Sequence, residues 1–282
     1  ADLRRPAPDR PTGGMPHMDA SSGAREESAL GLRSLTIILG FILLGLVLLM
    51  ATGHAGTLVV LAPHPDDAEA SCGGLIANAV AAGDTVFILT MTGGELGVWG
   101  RSPAEARTIR EAEARNAAAV LGAQVLFFGG MDGSLAVDTS ATNRLLNILE
   151  GLHPSVVVAP WPLDVHPDHQ ATGLLAWRVV HDRSTTFDLY FYETSNSPHT
   201  KSAHFVPTEY IDITSVLRLK QTALSQQVSQ HPEEWWPMYE AMALVHGYAA
   251  DVQYAEAYVR ARTSSGMGGR AMGTSRTLPI VR

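Results

Sequence analysis

The chain has 282 residues, of which 46% are hydrophobic, and this length and composition suffice for one sizeable folded core. Its formal net charge is -8 at pH 7 and no stretch is strongly basic, which argues against nucleic acid as a partner. The single cysteine, Cys72, excludes a fold that depends on internal disulfides.

The N-terminal region falls into two parts. Residues 1–34 are rich in Pro, Gly, Ser and Arg without apolar periodicity, which predicts a disordered segment. Residues 35–51 (LTIILGFILLGLVLLMA) carry no charge, which predicts a transmembrane helix or the core of a signal peptide. Five arginines precede this run and the next basic residue is Arg101, so the rest of the chain is expected outside the cytoplasm, either anchored to the membrane or secreted after signal cleavage.

Strand-like and helical patterns then alternate over residues 57–262, and the Gly- and Ser-rich residues 263–282 predict a flexible tail. The strand-like runs are, in chain order, TLVVLA, TVFILTM, QVLFFG, SVVVAP and FDLYFYE. The helical patterns between them are AEASCGGLIANAVAAG, PAEARTIREAEARNAAAVLG, TNRLLNILEGL and HQATGLLAWRVVHD. Continuously apolar strands that alternate with helices predict an α/β fold, a Rossmann-like three-layer sandwich with a mostly parallel sheet.

Two of these strands end in loops of the same unusual composition, APHPDDAE and DVHPDHQATG. The loops carry His64, Asp66 and Asp67 in the first case, and His166, Asp168 and His169 in the second. In such sheets ligands bind at the carboxyl ends of the strands, so both loops are expected at one rim. The first turn has no G-x-G-x-x-G motif, and its acids would repel a pyrophosphate, which argues against a dinucleotide site.

The residue types in the two loops predict a metal site. Two imidazoles and one carboxylate are a common ligand set for catalytic zinc, and they leave a position for water. Of the adjacent Asp66 and Asp67, one can ligate while the other accepts a proton from that water, and the spare histidine can stabilise an oxyanion or protonate a leaving amine. Helix capping alone would require one polar residue in each loop rather than three.

Several motifs together carry a resemblance to a known family. APHPDDAE followed by CGG, then MTGGELG, IREAEARNAAAVLGA and DVHPDHQATG, resemble the LmbE-like, or PIG-L, family of zinc-dependent N-acetylglucosaminide deacetylases. The resemblance extends roughly from Leu58 to Tyr192. The roles that it implies are metal ligands for His64, Asp67 and His169, general base for Asp66, second catalytic group for His166, orienting carboxylate for Asp168, and sugar contacts for Arg110 and Asp132.

Some of these residues also have plainer interpretations. Asp168 can be the N-cap of its helix, and Arg110 can pair with Glu111 or Glu113 on the helix surface. Glu95, at the end of the second strand, is expected to bind substrate or to shape its loop. Trp235 and Trp236 lie in HPEEWWPMY, which reads as a Pro-flanked loop that stacks on a sugar, contacts a membrane interface or packs in the core. Asp164 stands where some family members carry a tyrosine.

The resemblance therefore implies a hydrolase that removes an N-acetyl group from an N-acetylglucosamine-type sugar or glycoconjugate. Zinc is the expected metal, and Fe²⁺ or Mn²⁺ are alternatives. The membrane is a second expected partner, through the apolar N-terminal run. Two alternatives stay open, a metal-dependent hydrolase of a non-sugar amide and a catalytically silent sugar-binding domain. The presence of Asp66 argues against the silent domain, because binding alone does not require a base beside the ligands.

Overall fold

The computed structural model describes residues 56–182, 185–197, 200–262 and 280–281. The predicted disordered segment and the apolar run at residues 35–51 lie outside these residues. Within the described ranges, no helix has both the length and the apolar character that a membrane crossing requires.

The helices and strands follow one another closely along the chain. In order they are β1 (Thr57–Ala62), α1 (Asp67–Ala81), β2 (Thr85–Thr92), α2 (Pro103–Leu121), β3 (Gln124–Gly130), α3 (Thr139–Leu152), β4 (Val156–Pro160), α4 (Pro167–Asp182), β5 (Asp188–Tyr192), β6 (Ser195–Ser197), β7 (Thr200–Lys201), β8 (Glu209–Asp212), α5 (Leu217–Leu224), a 3₁₀ turn (Val228–Gln230), α6 (Pro232–Ala249), β9 (Ala255–Arg262) and β10 (Ile280–Val281).

The main sheet has the strand order β10-β8-β9-β5-β4-β1-β2-β3. The five strands from β1 to β5 pair in parallel, while β9, β8 and β10 add in antiparallel orientation beyond β5. The predicted α/β fold with a mostly parallel sheet is confirmed. The antiparallel extension was not predicted, and its β10 lies within residues 263–282, where the sequence predicted a flexible tail.

The core lies on both faces of the sheet. Leu58 and Val60 of β1 pack on one side with α1, α5 and α6, whereas Val59 and Leu61 pack on the other side with α3 and α4. This alternation follows from the two-residue period of a strand. Because each face is covered by helices, β1 is apolar along its whole length and its polar residues begin only where the strand ends.

Helix α2 begins and ends where the sequence predicted. Ser102 and Glu105 form a capping box at its start, next to Pro103, and these contacts satisfy backbone N–H groups that lack helical partners. The helix ends at Gly122, whose φ of 75° is a left-handed conformation that glycine adopts without strain. This placement fixes the direction from which the side chains of α2 approach the rim.

The segment HPEEWWPMY differs from its prediction as a loop, because it forms the start of α6. Pro232 occupies the first turn of the helix, where a missing N–H group is tolerated, and Pro237 lies inside the helix. The two adjacent tryptophans point to different surroundings: Trp236 is buried in the core, and Trp235 is partly exposed.

Candidate active site

The two unusual loops meet at the centre of the sheet. β1 pairs with both β2 and β4, and the chain order of the parallel strands reverses direction between β1 and β4. Such a switch point leaves a crevice at the carboxyl ends of the strands. The loop after β1 and the loop after β4 border this crevice, so the predicted convergence of the two motifs is observed.

Three side-chain atoms form a nearly equilateral triangle in the crevice. His64 Nδ1 lies 3.2 Å from His169 Nε2, and Asp67 Oδ2 lies 3.3 Å from each of these nitrogens. Nitrogen and oxygen ligands about 2.0–2.1 Å from a tetrahedral ion are about 3.3–3.4 Å apart. The three atoms therefore fit one face of a metal coordination shell, and they belong to the three residues that the resemblance implied as ligands.

Both imidazoles are held from behind by carboxylates. His64 Nε2 lies 3.2 Å from Asp168 Oδ2, and His169 Nδ1 lies 3.3 Å from Asp164 Oδ1 and 3.1 Å from Thr194 Oγ1. Histidines that ligate metals usually donate their other ring N–H to such a group, which fixes the tautomer and the orientation of the ring. The arrangement thus leaves one nitrogen of each ring for a metal.

The charges around the two rings favour a cation at this point. Burial alone would lower the pKa of His169, but Asp67 and Asp164 outweigh burial and raise this pKa to about 9. Burial likewise opposes protonation of His64, and the surrounding carboxylates outweigh it and raise the pKa of the ring well above its usual value. Donor geometry and local charge therefore both suit a divalent metal ion.

Other combinations of side chains also bring possible ligand atoms together. The rings of His64, His166 and His169 form one such group, and His64 and His166 form a second group with two carboxylates, those of Asp132 and Asp168. The carboxylates of the second group face Nε2 of His64, on the side of the ring away from Asp67. We therefore interpret them as groups that orient His64 rather than as a second ligand set.

Asp66 stands beside the triangle in a strained backbone conformation. Its φ is 117°, which is uncommon for a residue other than glycine, and strain of this kind is concentrated at functional sites. A quarter of its side chain, 26%, stays open to solvent. Burial raises the pKa of the carboxyl to about 6, although the Arg110 guanidinium acts in the opposite direction. The carboxylate is thus separate from the ligand Asp67 and is available to a substrate or water.

Arg110 contacts Asp66 rather than an acid on the helix surface. Its Nη2 donates to Asp66 Oδ2 at 2.6 Å and to the carbonyl oxygen of Pro65, and its Nη1 donates to the carbonyl oxygen of Gly94. Gly94 has a φ of 61°, and a Cβ atom there would lie 2.4 Å from Arg110 Nη1. The loop after β2 therefore needs glycine to let the guanidinium reach Asp66, and the suggested pairing of Arg110 with Glu111 or Glu113 is not observed.

His166 and Asp168 are not paired through the carboxylate of Asp168. That carboxylate accepts hydrogen bonds from the backbone N–H groups of Gly133 and Leu135 and contacts His64. The backbone N–H of Asp168 instead donates to His166 Nδ1 at 3.2 Å. Because Nδ1 accepts, the neutral ring of His166 carries its proton on Nε2, which becomes its donor toward a substrate. The expected orientation of His166 by the Asp168 carboxylate thus differs from the observed contact.

The two remaining predicted substrate contacts have different positions. Asp132 lines the crevice, with one carboxylate oxygen 3.3 Å from His64 Nε2 and the other accepting the N–H of Leu96 at 3.0 Å. Burial opposes its ionisation, but these two contacts outweigh burial and lower its pKa to about 2. Glu95 is buried and accepts a hydrogen bond of 2.6 Å from Arg107, so it shapes the loop and does not line the crevice.

Asp164 supports His169 in a way that was not predicted from the sequence. Its carboxylate accepts hydrogen bonds from Thr194 Oγ1 at 2.9 Å, from Ser202 Oγ at 3.1 Å and from the backbone N–H of His166 at 2.9 Å, besides its contact with His169. Its position two residues before His166 was a usable signal. Thr194 gave no such signal, because it follows β5 without any motif around it.

The crevice is a cavity of about 330 Å³, a volume suited to a small ligand. The metal-ligand triangle, Asp66, Arg110, Asp132 and His166 supply its polar lining. A second group of lining residues comes from outside the two motifs: Leu96, Leu224, Gln227, Gln230, Pro232, Trp235 and Tyr239. A metal position beside a free carboxylate and a small cavity is typical of metal-dependent enzymes that activate a water molecule.

Comparison with known proteins agrees with this class. The family model described as GlcNAc-PI de-N-acetylase (PIG-L) matches residues 59–180. A diacetylchitobiose deacetylase of Thermococcus kodakarensis is 28% identical over 212 residues, which cover 69% of this chain and 79% of that protein. The crystal structure of a conserved protein from Thermus thermophilus is 33% identical, covers 73% of this chain and 94% of its own, and superposes with a TM-score of 0.63.

One relative performs a different reaction. A 4-oxalmesaconate hydratase of Pseudomonas putida is 28% identical over 221 residues, which cover 71% of this chain and 83% of that protein. Proteins similar in sequence to this chain thus include enzymes of more than one reaction. The chain belongs to the PIG-L, or LmbE-like, family of metal-dependent N-deacetylases.

Proposed function

We propose that this protein uses zinc to remove the acetyl group from an N-acetylglucosamine-type amino sugar or glycoconjugate. The observation that carries the proposal is the triangle of His64, Asp67 and His169 with the separate carboxylate of Asp66 next to it. The similarity to a diacetylchitobiose deacetylase supports the choice of substrate class. Zinc fits because its usual ligand set and ligand spacing match these atoms.

The residues around the metal position divide the chemistry between them. A zinc ion held by His64, Asp67 and His169 would lower the pKa of a bound water molecule and polarise the acetyl carbonyl. Asp66 removes a proton from the attacking water, because it is the partly exposed carboxylate that is not needed as a ligand. His166 donates from Nε2 to the oxygen that becomes negative in the transition state. Asp66 then returns its proton to the nitrogen of the sugar, and acetate and the free amine leave.

The charge of the cavity favours an uncharged substrate. Arg110 is the single Lys or Arg side chain among the described residues that line it, and its guanidinium is already bonded to Asp66. Asp132 offers a carboxylate acceptor for hydroxyl groups. Apart from the metal, a substrate that carries several carboxylates would find here a single cationic side chain, already paired with Asp66, which favours the sugar over the reaction of the hydratase relative.

The deciding experiment is a product screen with the zinc-loaded protein. N,N′-diacetylchitobiose, N-acetylglucosamine, a non-sugar N-acetyl amide and an unsaturated polycarboxylate are incubated separately, and acetate, free amine and loss of the double bond are measured. We expect acetate and free amine in equal amounts from the sugars. Acetate from the non-sugar amide alone, or water addition to the polycarboxylate alone, would contradict the proposal.

We also propose that the catalytic domain works outside the cytoplasm, on the strength of the five arginines before the apolar run at residues 35–51. The run serves as a membrane anchor or as a signal that is removed. A C-terminal reporter that is active only outside the cytoplasm should be active on the full chain. Activity of a cytoplasm-only reporter at the same position would reverse this topology.

A further inference from the structure

A buried carboxylate on α2 reaches a turn that lies far away in the sequence. Glu113 accepts the backbone N–H of Ser229 at 2.7 Å with one oxygen and the hydroxyl of Ser229 at 2.6 Å with the other. Hydrogen bonds to an ionised acceptor are the stronger kind, and this pair uses both oxygens. The middle residue of the 3₁₀ turn is therefore bonded to α2.

The same turn is tied on its other side to the loop after β2. The amide of Gln230 donates to Ser229 Oγ at 2.9 Å and to the carbonyl oxygen of Gly97 at 3.1 Å. Ser229 thus gives its hydroxyl proton to Glu113 and accepts a proton from Gln230. Together these contacts hold the turn between α2 and the rim loop.

The turn forms part of the cavity lining. Gln227 and Gln230 line the cavity from either end of the turn, and α6, which starts two residues later, adds Trp235 and Tyr239. The amide oxygen and nitrogen of Gln227 have no hydrogen-bond partner among the described residues. The amide lies beside Glu69, whose pKa is raised to about 8 by burial, although Gln227 acts in the opposite direction. None of these residues belongs to the two metal-ligand loops.

Helix α2 therefore serves the cavity in two ways. Arg110 and Glu113 are three residues apart and lie on one face of the helix. Arg110 contacts the base Asp66, whereas Glu113 contacts Ser229. A purely local role for Glu113 on the helix surface does not fit its burial or its two bonds to a turn 116 residues away.

We propose that Glu113 is a positioning residue for substrate binding, which sets the 3₁₀ turn and its neighbours Gln227 and Trp235 as the substrate-facing wall of the cavity. Loosening this wall weakens the binding of substrate and leaves the metal and the base in place. The inference rests on the proposed function insofar as its kinetic readout is acetate release.

The test compares Glu113→Ala, Ser229→Ala and the double variant with the matched control Glu111→Ala. Glu111 lies on the same helix, and its ion pair among the described residues is with Arg115, one turn further along the helix. We expect Glu113→Ala to raise KM about tenfold, the scale of losing charge-assisted hydrogen bonds, with kcat within about twofold and unchanged zinc content. Because Glu113 and Ser229 belong to one contact, the double variant should have the same KM as Glu113→Ala. Ser229→Thr keeps the hydroxyl, so its KM should stay near that of the wild type, whereas Ser229→Ala should raise KM.

A second readout does not depend on the reaction. Amide hydrogen exchange at residues 228–235 should accelerate in Glu113→Ala and stay unchanged in Glu111→Ala. Unchanged exchange, additive effects in the double variant, or a fall in kcat with constant KM would overturn the inference. If Glu113→Ala does not fold, Ser229→Ala and Gln230→Ala supply the same comparison. Absence of acetate release from the wild-type protein would instead refute the proposed function, and the exchange data would still decide whether Glu113 holds the wall.

Discussion

The parallel half of the sheet and the antiparallel half with its helices contribute different parts of the site. The loops after β1 and β4 carry the proposed metal ligands and the proposed base, in two motifs that can be recognised from a few residues. The region after β5 contributes the 3₁₀ turn and α6, which line the cavity without any ligand among them. The proposed metal chemistry thus comes from the parallel half, whereas one wall of the cavity comes from the region after β5, so that this wall and the metal chemistry can be changed separately.

The largest effect is expected from removing a metal ligand. His169→Ala deletes one corner of the triangle, and bound zinc should fall to about a tenth of the wild-type content or less, with acetate release at background. Metal analysis after dialysis, with circular dichroism to confirm the fold, measures this. Full zinc occupancy in a folded variant would show that the ligands are not those of the triangle.

Removal of the base should separate turnover from metal binding. Asp66→Asn keeps the size of the side chain and leaves the triangle intact, so zinc should remain while kcat falls about a hundredfold or more. Asp67→Asn is the matched control at the neighbouring residue: its zinc affinity should fall, and excess zinc should restore part of its activity. The opposite pattern, with zinc lost from Asp66→Asn and kept by Asp67→Asn, would exchange the two roles.

A smaller effect on metal affinity is expected from changing Asp164, the carboxylate that contacts the ring of His169. Asp164→Asn weakens the support of His169, and groups in this position change metal affinity by about ten- to a hundredfold. Competition with a chelator gives the affinity. As a control, Asp138→Asn changes an acid that caps α3 on the surface, and zinc affinity should not change. Equal affinities in wild type and Asp164→Asn would mean that Thr194 alone orients the ring.

The smallest effect on the reaction is expected from a change in the second region, the part of the chain after β5 that lines the cavity. Trp235→Ala removes an apolar surface from the cavity, so KM should rise about three- to tenfold with little change in kcat, since stacking contacts contribute about a kcal/mol. Its neighbour Trp236 is the control, because it is buried in the core and its loss should cost about 3–5 kcal/mol of stability. A fall in kcat for Trp235→Ala at constant KM would place this residue in the chemistry.

The two regions also differ in how far they could be predicted. The two loops were recognised as a candidate metal site because each combines residue types that a metal requires, directly after an apolar strand. The choice of His64, Asp67 and His169 as the ligands came from the family resemblance. Gly122 likewise marked a helix end through its own backbone preference. Local residue chemistry was sufficient to locate the candidate site and the helix end.

The second region depends on contacts between distant segments. Nothing near Glu113 indicates Ser229, and nothing in EYID indicates that β8 pairs with β9 and β10. The start of α6 was read as a loop because of its prolines, although the first turn of a helix tolerates proline. Asp164 lay within a recognised motif, but its bond to His169 depends on how the loop folds back.

The backbone of Asp66 has a consequence for evolution and for protein engineering. A non-glycine residue at a φ of 117° costs stability, and glycine would adopt the same conformation freely. Asp66→Gly would relieve this strain and remove the proposed base, but it would also leave the buried guanidinium of Arg110 without its carboxylate partner, a loss that opposes the gain. A stability screen of this protein therefore needs an activity assay beside it, because relief of strain at Asp66 and loss of the proposed reaction would occur together, the trade-off expected where strain has been retained for use.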